Sequence, residues 1–245
     1  MNGRERFLAA LRLQQPDMVP LFDYIDDRAV VKIGRRLGKD TPRLANPLTY
    51  SPDEAEAAFD LYVEVVRELD LDAVSVELTL GARLSGDGKT ASDRFGIIYR
   101  PDDHGEAIPI AGPVHDRDSL EVFRENLGPL PSDTQSIARA RDRLPDRALV
   151  LFAPGTFGMA WRLVGTMQQY LLQLVLDPEF CLEVNRAVTD FHLGEIRQAA
   201  EHGVDAVCVG GDLASQLQPL MSPPHYRRFV QPFHREITDL CHSLG

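Results

Sequence analysis

Short apolar runs that each follow a helix-like segment constrain the fold of this chain more than any other feature. The runs occupy residues 73–78, 148–153 and 204–209. They are too short for typical helices and mostly apolar without a helical period, which is typical of strands buried in a parallel sheet. A fourth apolar run, 18–22, precedes them, with Pro20 allowed only at a strand start or a bulge. Repeated helix-then-strand order predicts an α/β fold.

Helix-start signals support this order. Residues 51–54 combine a Ser N-cap, a Pro at the first helical position and a Glu that completes a capping box. The Asp-Pro pair at 177–178 is a second N-cap followed by proline. Ser222 begins a last predicted helix, which Pro232 interrupts or kinks.

The alternation of predicted helices and strands is interrupted between residues 79 and 145. Glycines are frequent over 81–88, and the apolar segments 95–99 and 107–110 predict a β-hairpin. We interpret this region as an insertion within one domain that spans residues 1–245. A complete barrel of alternating strands and helices needs about 250 residues, so the length alone would fit one.

Composition excludes several classes of protein. The net charge of −11 opposes binding to nucleic-acid phosphates. No apolar run approaches the roughly 20 residues of a membrane-spanning helix, and the first residues lack the apolar stretch of a signal peptide. We therefore expect a cytoplasmic protein with no membrane partner. The three cysteines are widely spaced and form no Cys-x-x-Cys pair.

Functional residues of parallel α/β folds lie at the carboxyl ends of the strands and in the loops that follow. That rule selects residues 23–27, 77–81, 154–157 and 210–215. The sequence contains no glycine-rich phosphate loop and no Gly-x-Ser-x-Gly elbow. Nucleophilic catalysis by serine or cysteine therefore has no support.

Two carboxylates are candidate catalytic residues. Glu77 lies near the end of the predicted strand 73–78, immediately after Val76, and would act as a proton donor or acceptor there. The alternative for Glu77 is a solvated or salt-bridged carboxylate. Asp212 follows Gly210 and Gly211, which allow the backbone a close approach to a ligand. The alternative for Asp212 is a side chain that orders its own loop.

Candidate substrate-binding residues come from the same loops and their surroundings. Asp23 belongs to an acidic segment that is either a ligand contact or a solvated loop. Phe157, Trp161 and Tyr99 would form apolar walls, with core packing as the alternative. His225 begins the last helix, as a direct participant or as a surface residue.

The order of several segments resembles the uroporphyrinogen decarboxylase superfamily. Residues 203–206, 211–214, 221–224 and 229–233 are Gly-Val-Asp-Ala, Gly-Asp-Leu-Ala, Met-Ser-Pro-Pro and Phe-Val-Gln-Pro-Phe, and 4–7 and 93–97 are Arg-Glu-Arg-Phe and Asp-Arg-Phe-Gly-Ile. The resemblance covers essentially the whole chain. It implies a (β/α)8 barrel, a TIM barrel, with the site at its mouth. We expect about the first half of that barrel, with an inserted β-hairpin region.

The superfamily holds two chemistries, decarboxylation of uroporphyrinogen without a cofactor and cobalamin-linked methyl transfer. The decarboxylases carry Arg-Gln-Ala-Gly-Arg after the first strand, where residues 23–28 are Asp-Tyr-Ile-Asp-Asp-Arg. Their essential aspartate corresponds to Glu77, and their active-site tyrosine has no match near Trp161. These differences favour methyl transfer between a small methylated substrate or thiol and a corrinoid protein. The alternatives are a uroporphyrinogen decarboxylase, and a non-catalytic fragment or binding module.

The resemblance also sets the expected cofactors and partners. In the methyltransferase branch a His-x-Cys pair and a distant Cys hold zinc, and these would follow Gly245, so we assign no metal ligand to this chain. The expected partners are a small-molecule or tetrapyrrole substrate and a corrinoid protein. A homo-oligomer is a further alternative, because an open half barrel exposes strand edges that favour association.

Overall fold

The computed structural model describes residues 1–43, 50–76, 89–101, 107–127 and 134–245, with the backbone of 82–84. The helices over these residues are α1 (Gly3–Leu11), α2 (Asp27–Arg36), α3 (Pro52–Glu68), α4 (Arg117–Asn126), α5 (Gln135–Arg143), α6 (Gly155–Val164), α7 (Met167–Leu176), α8 (Pro178–Glu201), α9 (Pro223–Phe229) and α10 (Gln231–Leu244). The strands are β1 (Ala73–Val76), β2 (Ala82–Leu84), β3 (Ala91–Asp93), β4 (Ile98–Pro101), β5 (Ala107–Ala111), β6 (Ala148–Ala153) and β7 (Ala206–Val209). None of the described helices is long and apolar enough to cross a membrane.

Strands β1, β6 and β7 form a parallel sheet with β6 at its centre. Ala73 lies opposite Ala148, and Val150 lies opposite Ala206. Three of the four predicted strands are therefore present, and their parallel pairing confirms the α/β fold. Over the residues described, the sheet stays open rather than closing into a barrel, as expected for part of a (β/α)8 barrel.

The prediction of a strand at 18–22 is wrong. The segment runs beside the start of β1, but the bonds between them are confined to Leu21 and Asp72. Leu21 N–H donates to the Asp72 carboxylate at 2.7 Å, and Asp72 N–H donates to the Leu21 carbonyl at 2.8 Å. Because Pro20 has no N–H, it cannot contribute to a regular ladder, and a side-chain acceptor takes the next donor.

The two faces of the parallel sheet pack differently. Val74, Leu149 and Leu151 point to one face and pack in a buried cluster with side chains of α3, α5, α8 and α10. Ala73, Ala148 and Val150 point to the opposite face, which carries smaller side chains. Helices α3, α5, α8 and α10 therefore cover one face, and Phe7 of α1 and Phe22 pack against the other.

A second, antiparallel sheet has the order β2-β3-β4-β5. The pairing of β4 with β5 confirms the predicted hairpin, although residues 95–97 lie in the turn that precedes β4. Gly112 joins this sheet to α6, because a Cβ there would lie 2.0 Å from the Leu163 carbonyl oxygen. Val114 N–H donates to the same carbonyl at 3.0 Å.

The predicted last helix is two helices. Val230 lies between α9 and α10 with φ −125°, outside the helical region. Pro232 then occupies the first turn of α10, where its missing N–H costs no hydrogen bond. Proline therefore begins a new helix here instead of kinking a continuous one.

A buried carboxylate at the start of β7 connects the parallel sheet to two helices. Asp205, whose side chain is 5% exposed, accepts hydrogen bonds from Arg4 of α1 at 2.7 and 2.9 Å and from Arg141 of α5 at 2.6 Å. It also accepts from Leu149 N–H of β6 at 2.9 Å. Burial alone would raise the pKa of Asp205, but these donors outweigh it and lower the pKa below its ordinary value.

Asp72 has a similar position one residue before β1. Its buried carboxylate pairs with Arg6 of α1 and accepts from Leu21 N–H. Helix α1 is thus held beneath the sheet by two aspartates at the amino ends of β1 and β7.

We predict that Asp205→Asn lowers the free energy of unfolding by about 2–4 kcal/mol at neutral pH, because two arginines lose a buried charged partner. A carboxylate with a lowered folded pKa stabilises the protein above its unfolded pKa of about 4, and that contribution is lost as the pH falls through the folded value. The difference between wild type and Asp205→Asn should therefore narrow at acidic pH. Urea denaturation at pH 7 and at about pH 3 measures both effects.

Asp190→Asn is the matched control. Asp190 pairs with Arg186 one turn away on α8 and is mostly exposed, so we expect a change of less than about 0.5 kcal/mol. Equal losses in the two variants would contradict the structural role of Asp205.

Candidate active site

Glycines bring the carboxyl ends of β6 and β7 into backbone contact. Gly210 N–H donates to the Ala153 carbonyl at 2.8 Å. Gly155 has φ +75°, and a Cβ there would lie 2.5 Å from the Gly210 carbonyl oxygen. A Cβ on Gly210 would lie 3.0 Å from the ring of Phe152. Only residues without side chains allow this close approach.

Asp212 follows Gly210 and Gly211 in the turn after β7, and its side chain is exposed. Its φ of +41° is uncommon for a residue other than glycine, and it turns the chain away from β7. Over the described residues its side chain makes no hydrogen bond or ion pair, so no bond to its own loop supports the loop-ordering alternative. The carboxylate is available to a ligand at the sheet edge.

An acidic loop reaches the same end of β6. Tyr24 stacks on Phe152 with ring centroids 4.4 Å apart, which places the loop 23–26 beside the carboxyl end of that strand. Asp23 is exposed, and Asp26 caps α2 by accepting from Arg28 N–H at 3.0 Å. The pKa of Asp27 is raised, first by desolvation and then by the neighbouring Asp26.

Arg162 is a residue of this region that the sequence patterns missed. Its Nη1 donates to the Gly158 carbonyl at 3.2 Å, and its guanidinium lies 4.9 Å from the Trp161 ring centroid. A Cβ on Gly158 would lie 3.7 Å from Arg162 Nη1 and 3.8 Å from Gly211 Cα. The cation therefore lies near the turn that carries Asp212. It is the only charged residue of α6, and that isolation was a signal available in the sequence.

The second sheet contributes a buried acid close to Arg162. Asp93 accepts hydrogen bonds from Tyr99 Oη at 2.8 Å and from the N–H groups of Phe95 and Ile97 at 2.9 and 3.0 Å. Burial raises the pKa of Asp93 despite these donors and the nearby Arg162. Burial and the neighbouring Asp93 also raise the pKa of Tyr99 far above its ordinary value.

The other candidate side chains are more dispersed. Phe157 is 1% exposed and packs edge-on against Tyr170 in the core. Trp161 is half-buried, and its Nε1 has no partner among the described residues. His225 Nδ1 lies 3.1 Å from Ser222 Oγ, at the start of α9. The structure thus brings Asp23 and Asp212 to one sheet edge, whereas Trp161 packs against Arg162 and the core, and Phe157, Tyr99 and His225 contact other protein groups.

Glu77 lies outside the described residues. Over the part of the chain that is described, no three His, Cys, Asp or Glu side chains come together in a group that could hold a metal ion. The donor set described here does not fit a zinc ion, and no chemical step is assigned to one.

Comparisons with known proteins agree with this architecture. The model of the family described as Uroporphyrinogen decarboxylase (URO-D) matches residues 2–245. Among solved structures, a methyltransferase from Methanosarcina mazei is similar in fold, with a TM-score of 0.62 and 16% sequence identity over 98% of this chain and 67% of that chain. A search of the curated proteins found no match. At this identity the similarity to the solved structure concerns the fold.

We predict that Gly155→Ala disrupts the contact between the ends of β6 and β7. An alanine at φ +75° costs about 1–2 kcal/mol, and its Cβ would also overlap the Gly210 carbonyl. The expected loss of unfolding free energy is about 2–4 kcal/mol by chemical denaturation.

Gly211→Ala is the control for this substitution. A Cβ there would lie 3.6 Å from the Leu213 side chain, an ordinary contact, so we expect a change below about 1 kcal/mol. An unchanged stability of Gly155→Ala would contradict the close approach of the two turns.

Proposed function

The chain belongs to the uroporphyrinogen decarboxylase family, and from this premise we propose that it acts in methyl transfer. The proposed reaction moves a methyl group between a small methylated substrate or thiol and a corrinoid protein. The proposed site is the edge where the carboxyl ends of β6 and β7 meet the loop 23–26.

The observation that carries this proposal is the acidic loop stacked on β6. Asp23, Asp26 and Asp27 occupy the segment where the resemblance to the decarboxylases would require arginines. Tyr24 holds that segment against Phe152 at the strand end. Carboxylates at this place repel a tetrapyrrole that carries many carboxylates, so the substrate of the decarboxylases is disfavoured. The fold of the Methanosarcina mazei methyltransferase supports the same choice.

The proposed roles follow from the contacts of each side chain. In methyl transfer a nucleophile attacks the methyl carbon in line while the bond to the donor breaks. Asp212, exposed and without a partner among the described residues, would take the proton of the nucleophile or hold a polar substrate group in place. Glu77 is the proposed second carboxylate. A corrinoid supplies the metal centre that carries the methyl group, when its protein is bound.

The remaining candidates have supporting roles in this proposal. Asp23 and Trp161 would contact the substrate, Asp23 from the acidic loop and Trp161 from α6 beside Arg162. Phe157, Tyr99 and His225 would hold the surrounding helices and the second sheet in place through Tyr170, Asp93 and Ser222, respectively.

We predict that the chain removes the methyl group of methylcobalamin in the presence of a small thiol, followed by the change in corrinoid absorbance. Asp212→Asn should lower kcat about 10- to 100-fold, because the carboxylate no longer accepts a proton or orients the substrate. Asp239→Asn, at an exposed position on α10, should retain the wild-type rate.

The same preparation is incubated with uroporphyrinogen. Conversion to coproporphyrinogen would contradict the proposal and support the decarboxylase alternative. Binding of the corrinoid without turnover of either substrate would also contradict it, and would support a binding module.

A further inference from the structure

We infer that Arg162 binds a carboxylate group of the substrate at the edge where β6 and β7 end. The inference rests on the proposed function in one respect, that this edge is the substrate site. It adds a substrate class, a small molecule with a single anionic group.

Arg162 forms no direct ion pair with any described residue, although the buried Asp93 is near enough to interact with it electrostatically. The side chain is half-buried, and its one hydrogen bond goes to the neutral Gly158 carbonyl. Within the described parts of the chain, no carboxylate oxygen lies within 4 Å of its nitrogen atoms. None of the Arg162 nitrogens is a buried atom without a partner, so the remaining N–H donors are open to a ligand, and an anionic group would supply the direct charged partner that the guanidinium lacks.

Asp93, the acid that acts electrostatically on Arg162, does not fill this role. Its oxygens accept from Tyr99, Phe95 and Ile97, and it makes no direct hydrogen bond to the guanidinium. Burial raises the pKa of Asp93, and Arg162 acts in the opposite direction. Because Asp93 makes no direct hydrogen bond to the guanidinium, it does not occupy the N–H donors of Arg162.

The geometry of Arg162 suits an oxyanion. The Trp161 ring lies over one face of the guanidinium, and Gly158 holds Nη1. These contacts fix the plane of the group and leave its other in-plane N–H donors for a ligand. A guanidinium presents such donors as a planar fork, which matches two carboxylate oxygens. Gly158 and Gly211 have no side chains to block this approach.

The local charges limit the ligand to one anionic group. Arg162 is the only charged residue of α6, whereas Asp212 and the loop 23–26 add negative charge at the same sheet edge. A monocarboxylate gains from the arginine and keeps its distance from these acids. A polyanion would place further negative charges close to these acids and would be repelled by them.

Trp161 provides a direct test, because it is the only tryptophan of the chain and adjoins Arg162. We expect acetate to change the Trp161 fluorescence saturably at constant ionic strength, with chloride as the reference salt. Inorganic phosphate forms a second arm, in which we expect weaker binding. Arg162→Gln should weaken acetate binding at least about tenfold, and Arg162→Lys should give an intermediate loss, because it keeps the charge without the fork.

Arg117→Gln is the matched control, since Arg117 is an exposed arginine on α4 paired with Asp177. It should bind acetate as the wild type does. An unchanged midpoint of urea denaturation shows that Arg162→Gln is folded like the wild type. If that midpoint falls, acetate binding by Arg162→Lys is compared with that of the wild type instead.

The inference is overturned if acetate produces no saturable change in the wild type, if Arg162→Gln binds acetate equally well, or if phosphate binds more tightly than acetate. The titration measures no turnover. Methyl transfer without acetate binding would therefore reject this inference alone, and acetate binding without methyl transfer would reject the proposed function alone.

Discussion

The geometry of the parallel sheet depends on the buried carboxylate of Asp205. It joins the amino end of β7 to α1 through Arg4, to α5 through Arg141 and to β6 through Leu149 N–H. Removal of any one donor would leave a buried charge with fewer partners, which is costly in a protein interior. Asp72 and Arg6 make a similar contact at the amino end of β1. Helix α1 therefore fixes the relative positions of two strands that are distant in sequence.

The residues that stabilise the sheet and the residues of the proposed site consequently lie at opposite ends of the strands. At the amino ends, buried aspartates have arginine partners. At the carboxyl ends, glycine contacts bring the turns together, and neither Asp212 nor Arg162 has an ion-pair partner within 4 Å among the described residues. Unpartnered charges contribute little to stability, but they are what an incoming substrate can bind. All strands of a parallel sheet run in the same direction, so the paired aspartates lie together at one end of the sheet and the proposed substrate site lies at the other.

The sequence was sufficient where local patterns decide the structure. The capping box at Ser51 forms, with Glu54 N–H donating to Ser51 Oγ at 3.2 Å, and the apolar run 148–153 is a strand over its full length. The apolar run 18–22 predicts a strand that the structure does not contain, because Pro20 and the distant Asp72 determine the hydrogen bonding there. The role of Asp205 is not visible in the sequence because its partners come from α1, α5 and β6, which no local pattern contains. Arg162 carries a local signal, as the only charged residue of α6, but its nearness to Gly211 depends on the fold. Glu77 remains a sequence prediction outside the described residues.

We propose that ligands bind at the carboxyl ends of β6 and β7, at the end of the sheet away from the buried aspartates. Amide hydrogen exchange with and without methylcobalamin tests it directly, because exchange reports protection segment by segment. We predict slower exchange over 153–158 and 210–212 when methylcobalamin is bound, with no change over 71–75 and 203–206. Protection confined to the amino ends of the strands, or absent from both ends, would contradict a ligand site at the carboxyl ends.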